Sequence, residues 1–253
     1  MTALKTIASG WSAAERRARI ELAAAYRIAA LEGMDDGVFN HFSLALPGEE
    51  GRFLLKPFGP LFDEVTASGL IKVDLEGNIM AGEGVWEPTA FHIHSRVHRA
   101  VPRARCVMHT HMPYATALTC LTEMGILPIN QSSMRFVRRF ATLESYGGLA
   151  LDAAEGDRIV AAFQEKDVLL MANHGVMVIG EDVARCLYDL HYIEVAARDQ
   201  WLALSANRPL RLVPEAVIEL AARQMVDERE MAADAHLAAM MRRLDSKNPG
   251  YDA

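Results

Sequence analysis

The sequence contains no run of 18 uncharged apolar residues, so no segment of it is long enough to cross a bilayer as a helix. Cysteine is scarce: Cys106, Cys120 and Cys186 are odd in number, widely spaced and set among apolar neighbours. That excludes a disulfide framework and reads as thiols kept in a reducing compartment. Positive charge is in deficit, with 26 Lys and Arg against 33 Asp and Glu and a formal charge of -7. No basic block is long enough to follow a phosphate backbone, so nucleic acid is not an expected partner. Arg135, Arg138 and Arg139 in MRFVRRF come nearest, and they read more simply as a local anion pocket or a solvated face. The opening MTALKTIASGW lacks the basic segment and apolar run of a secretory signal. The expectation is a cytoplasmic protein that uses neither membrane nor nucleic acid.

What is present supports a sizeable core, since 51% of residues are apolar and 23% charged. After a short lead, Ser12 and Glu15 have the spacing of a capping box ahead of an Ala- and Arg-rich helix that runs to Leu31 and stops at Gly33. Short alternating runs follow (HFSLALP, RFLLKP, LIKVD), separated by the Gly, Pro and acidic residues that turns require, with a turn over 75–78. Helical spacing returns over 89–100, ARCVMHTH reads as a strand, and Pro113 opens a helix to Cys120. Further strands are expected near Leu127 and over 140–143, then a helix over 153–164 and the strand DVLLMA. A tight Asn-His-Gly turn leads to VMVIG, and long helices follow over 182–205 and 214–244. No repeats or low-complexity tracts interrupt this order, which predicts one domain over 1–253. Its core would span about 12–205, and a helical C-terminal extension, about 214–245, would meet a neighbouring subunit.

Three histidines stand out. Alternation along ARCVMHTH sends His109 and His111 to the same side of a strand, where two imidazoles can converge on one ion. His174 lies at the end of another apolar strand, in a turn where Gly175 permits close approach of the backbone. Residue types alone leave two readings open: a metal site, or core histidines beside ordinary hairpin chemistry.

The runs PRARCVMHTHMPYATAL and NHGVMVIG, and the helix carrying LYDLHYIEVAAR, resemble the corresponding stretches of the class II aldolase/adducin family. NHFSLALPG, FGPLFDEVTASGLIKVDLEG and ILPINQSSMRF extend the likeness over roughly Ser12 to Leu204. The resemblance implies an α/β fold, a three-layer α/β/α sandwich around a mixed β-sheet, assembled as a homotetramer with active sites between subunits. It also implies a divalent metal, zinc first and manganese or iron as alternatives, held by His109, His111 and His174.

In the aldolase branch a Glu shuttles the proton, and its position here is Ala90, which cannot. His94, one helical turn further along the same face, is the first candidate to replace it; His98 continues that face, His92 points away, and Glu87 precedes the helix. Of the family's substrate-binding positions, Asn40, Gly59 and Thr89 match, while Gly37, Phe58 and Pro88 replace small hydroxyl residues. Lost hydroxyl donors leave phosphate oxygens unsatisfied, and Phe58 offers an apolar wall instead. Arg135 is a candidate carboxylate partner, because guanidinium binds such groups bidentately. The pattern is closer to the adducin-like bacterial members without the Glu. It points to a metal-dependent carbon–carbon lyase, decarboxylase or aldolase in type, acting on a small non-phosphorylated hydroxy- or oxo-carboxylate. The alternatives are an iron(II) oxygenase of an aromatic acid and a non-catalytic scaffold of the adducin kind.

Overall fold

The computed structural model describes residues 10–253, and the expected lead over 1–9 lies outside them. Helix α1 (Ala13–Leu31) begins where Ser12 accepts the backbone N–H of Glu15. Only half of the capping box forms, because the Glu15 carboxylate turns to Arg19 and Lys72 instead. Strands β1 (His41–Ala45), β2 (Arg52–Leu55), β3 (Ile71–Asp74) and β4 (Ile79–Ala81) make an antiparallel meander. Helix α2 (Pro88–Ala100) follows, with Pro88 in its first turn and Glu87 capping the backbone N–H of Ala90. Then come β5 (Cys106–Thr110), α3 (Pro113–Thr119), β6 (Phe140–Leu143) and α4 (Ala153–Phe163). Strands β7 (Val168–Met171) and β8 (Gly175–Gly180) precede the long helices α5 (Val183–Ser205) and α6 (Glu215–Lys247).

The eight strands form one sheet in the order β4-β3-β2-β1-β5-β8-β7-β6. Only β6 and β7 run parallel, so the sheet is mixed. Period-two alternation divides its side chains between two layers. Phe42, Leu44, Cys106, Met108, Val176 and Val178 pack with α1, α3, α5 and α6. On the other side Val107, Leu169, Met177 and Ile179 meet Ile93 and Val97 of α2 and Ile159 and Phe163 of α4. The expected three-layer α/β/α sandwich is the fold. Its central strands are covered on both faces, so a polar residue on them is buried.

One local expectation differs, and one element is new. Residues near Leu127 form no strand: Pro128 follows, and the Leu127 N–H bonds the Gln200 side chain instead of a neighbouring strand. Edge strand β4 went unforeseen because its residues are exposed and show no alternation. The expected C-terminal helix is present, and it also packs within the chain. Its second half buries Ala233, Leu237, Met240 and Leu244, and the chain end pairs back onto the core, where Ala67 N–H donates to the Tyr251 carbonyl.

Candidate metal centre

Strand β5 is buried throughout, between β1 and β8. Its alternation sends Val107 and His109 under α2 and α4, and His111, one residue past the strand end, continues on that side. His174 arrives from the β7–β8 turn. There Asn173 adopts φ 55°, a left-handed conformation that asparagine tolerates. At Gly175 a Cβ would lie 2.5 Å from the Thr110 carbonyl oxygen and 2.9 Å from the His111 ring, so only glycine lets this turn close on β5.

These placements gather the trio. Its candidate ligand atoms all lie within 4.8 Å of one another. Ring centroids are 4.9 Å apart for His109 and His111, 4.8 Å for His109 and His174, and 5.1 Å for His111 and His174. The second contacts of two rings fix their tautomers. His109 Nδ1–H donates to the Val176 carbonyl at 2.9 Å, and His111 Nδ1–H donates to the Asp36 carboxylate at 3.0 Å. With both rings neutral, as ligands must be, both Nε2 atoms are bare and face each other at 3.1 Å. Two lone pairs at that distance repel unless a cation lies between them. Tetrahedral ligands at 2.0–2.1 Å from an ion are themselves roughly 3.3–3.4 Å apart, so the spacing fits one. Burial first, then the neighbouring imidazoles, hold His109 well below its ordinary value. Burial likewise lowers His174 to about 4. Both rings are therefore neutral at pH 7, the state in which imidazole ligates. The donor set and its outer hydrogen bonds fit a divalent metal.

The trio opens into a cavity of about 280 Å³. Phe39, Ile93, Tyr146, Leu149 and Leu151 give it apolar walls, and among the described residues no Lys or Arg lines it. Asn40 and Thr89 line it, as the sequence led one to expect. Asn40 takes φ 64° at the entry to β1, and its Oδ1 accepts the His111 backbone N–H. That leaves Nδ2 buried without a hydrogen-bond partner. Thr89 donates to Glu87.

Other expected residues lie elsewhere. Phe58 is 44% exposed with its ring 6.2 Å from that of Phe39, and neither it nor Gly59 lines the cavity. Arg135 lies over the Tyr192 ring at 4.1 Å and bonds the Tyr188 hydroxyl, so it is no carboxylate partner for this cavity. His94 is close but does not reach the cavity: it is 1% exposed, and its Nε2 contacts His41 Nδ1 at 2.7 Å. His41 is the residue that sequence reasoning missed. It is the register partner of His109 across β1 and β5, its ring lies 4.9 Å from that of His109, and it lines the cavity. The available signal was the His41-x-Ser43 spacing, which puts two polar side chains on the sheet face that α2 covers.

Comparison with known proteins places these residues in a wider set. The family model described as the Class II Aldolase and Adducin N-terminal domain matches residues 20–201. A Caulobacter vibrioides protein provisionally named as a class 2 aldolase protein is 39% identical over 95% of this chain and 93% of its own length. Rat alpha-adducin is 35% identical over 79% of this chain and 27% of its own. The crystal structure of an aldolase II superfamily protein from Pseudomonas syringae superposes with a TM-score of 0.90 at 36% identity, covering 96% of this chain and 98% of that one.

Proposed function

Because the chain belongs to the class II aldolase and adducin N-terminal domain family, we propose that it is a metal-dependent carbon–carbon lyase with His109, His111 and His174 as ligands. One observation carries the reading: two Nε2 atoms face each other at 3.1 Å while each ring's Nδ1 lies within hydrogen-bond distance of an acceptor. A divalent ion held there supplies Lewis acidity to a substrate carbonyl or hydroxyl. Zinc is the first expectation for three imidazoles, with manganese and iron as alternatives.

The chain's own residues define what enters. Phe39, Tyr146, Leu149 and Leu151 offer apolar walls that favour a carbon skeleton, and Asn40, whose Nδ2 is buried without a partner, lines the same cavity. A phosphoryl group would find no cationic side chain of the described residues in the cavity. The substrate class in this reading is a small non-phosphorylated hydroxy- or oxo-carboxylate, whose carboxylate would be met by the ion, since the cavity is lined by Asp36, Glu87 and Glu155 and by no Lys or Arg of the described residues. Ala90 is buried and cannot exchange a proton, so decarboxylation, which needs no base to open the reaction, suits the site; Glu87 and Glu155, which line the cavity, are the carboxylates of the described residues that can supply the proton that must follow.

The chain acts as one domain in this reading, and a homotetramer with active sites between subunits is part of it. Val217, Leu220, Val226 and Met231 on α6 are exposed apolar residues that a neighbouring subunit would cover. No helix of the described residues is long and apolar enough to cross a membrane, and the proposed location is the cytoplasm.

A second reading, a non-catalytic scaffold, is favoured by the alpha-adducin likeness. Metal analysis of protein purified without added ions, then a screen of hydroxy and oxo acids for released carbon dioxide or aldehyde in air and under argon, separates the readings. The lyase reading expects about one ion per chain and turnover in both atmospheres. An ion with no turnover supports the scaffold, turnover only in air supports an oxygenase, and protein devoid of ion overturns the metal site.

A further inference from the structure

A line of four polar side chains leads away from the cavity into the protein. Strand β1 supplies His41 and Ser43, two residues apart on the face beneath α2, and α2 supplies His94 and His98, one turn apart. His41 Nδ1 lies 2.7 Å from His94 Nε2, and His94 Nδ1 meets Ser43 Oγ. Ser43 Oγ is 2.7 Å from His98 Nε2, and His98 Nδ1 is 2.8 Å from the Ala104 carbonyl oxygen.

The far end of this line fixes every proton in it. A carbonyl only accepts, so His98 carries its hydrogen on Nδ1 and, as a neutral ring, leaves Nε2 bare. Ser43 must then donate its single hydrogen to His98 and accept from His94 Nδ1–H. His94 Nε2 is bare in turn and accepts from His41 Nδ1–H. The last atom, His41 Nε2, keeps a lone pair on a ring that lines the cavity. Reversing the order would set a His98 lone pair against the Ala104 carbonyl at 2.8 Å, or require His98 to be charged. Burial opposes that charge by lowering His98 to about 4.

We propose that His41 Nε2 is a fixed hydrogen-bond acceptor for a substrate hydroxyl, and that His94, Ser43 and His98 are positioning residues that set its tautomer. This rests on the lyase reading and narrows its substrates to acids that carry a hydroxyl group. Asn40, the residue before His41, also lines the cavity; its Oδ1 is held by the His111 N–H, and its Nδ2 is buried without a partner. An acceptor that can take a hydrogen matches a hydroxyl, which has one to give. An oxo group accepts only, and would leave the His41 lone pair unmet. Nothing in an isolated imidazole selects one tautomer this firmly, so the line of hydrogen bonds makes the selection.

The test reads ring nitrogens and binding together. In full-length zinc-loaded protein, histidine 15N spectra should show His41, His94 and His98 each protonated at Nδ1. Mandelate, with its hydroxyl, is compared with phenylacetate, which lacks it, in wild type, Ser43→Ala and His98→Asn. Ser43→Ala is nearly isosteric and lies away from the cavity. Expected is a fall of about tenfold in the preference for mandelate in both variants, with zinc content unchanged and the His41 tautomer mixed. His94 or His98 protonated at Nε2 in wild type overturns the proposal, as does an undiminished preference in both variants. If the protein takes up no zinc, the metal reading fails by itself, and the tautomers of the ion-free chain still decide the relay.

Discussion

Two buried polar regions of this molecule follow opposite rules. Between α5, α6 and the edge of the sheet, Asp189 is 0% exposed and bonds Arg139 at 2.7 Å and Arg229 at 2.5 Å, while Arg139 also reaches Asp167 at 3.1 Å. Each charge there meets its partner within the chain. Across the sheet, beneath α2, His109 and His111 turn bare nitrogens on each other and Asn40 Nδ2 has no partner. Buried polar groups are satisfied almost everywhere in native proteins, so a cluster left incomplete is where something from outside enters. The first region holds the fold together; the second has the donor set and the open hydrogen-bonding positions that the proposed ion and ligand would use.

The largest expected effect separates the two directly. Asp189→Ala leaves two guanidinium groups without their shared acceptor and should cost about 3–5 kcal/mol, read as a lower urea midpoint. Its ion content should not change. Replacing His109 and His111 together with alanine should do the reverse, removing the ion while leaving the ion-free protein's midpoint nearly in place. A folded Asp189→Ala protein that has lost its ion would break the distinction.

The second effect uses pH. Burial lowers His98 from its ordinary 6.5 to about 4, so the unfolded chain binds its proton first as the solution is acidified. The stability from a neutral His98 is therefore fully present above about pH 6.5 and is lost as pH falls toward 4. His94 and His41 shift in the same direction, again chiefly through burial. For His98, which keeps some solvent contact, the loss should be about 1–2 kcal/mol. Urea unfolding of chelator-treated protein at pH 7.5 and 4.5 measures it, and a His98→Asn variant should show a shallower slope. An unchanged slope would mean that some other group carries the acid sensitivity.

A change of comparable size acts at the contact that closes the site. Gly175→Ala drives a methyl toward the Thr110 carbonyl and the His111 ring, which must shift. Overpacking of this kind costs about 1–3 kcal/mol. Because the displaced ring is a ligand, ion affinity should fall by about tenfold more than in a matched core variant such as Met177→Leu. Competition with a fluorescent chelator reads the difference.

How far the sequence reveals this arrangement depends on distance along the chain. The helices and most strands follow from local periodicity, and His109 with His111 follows from alternation on a single strand. His41 does not. HFSLALP reads as a strand with one solvated face, and only the covering of β1 by α2 turns His41 and Ser43 inward. His94 was placed on the correct helix face but one layer too near the cavity, because the ring that fills the gap comes from 53 residues away. Arg135 was read as an anion binder for want of its real neighbours, Tyr188 and Tyr192, which sit one turn apart on α5.

The smallest effect sharpens the comparison within that same basic stretch. Arg135, Arg138 and Arg139 look interchangeable in MRFVRRF, yet one stacks on tyrosines, one is exposed and one is locked to Asp189. Arg138 pairs with Glu219 and, at 3.4 Å, with Glu215, while its side chain remains 65% exposed. Water screens such pairs, and holding two long side chains together costs entropy, so Arg138→Ala should change stability by less than about 0.5 kcal/mol. Arg139→Ala, which strips a partner from a fully buried carboxylate, should cost several times more. Added salt should erase the Arg138 effect and leave most of the Arg139 effect, since screening acts on exposed charges and hardly reaches buried ones. Equal losses for the two variants would mean that the surface pair is held as rigidly as the buried one, and that burial is not what divides these arginines.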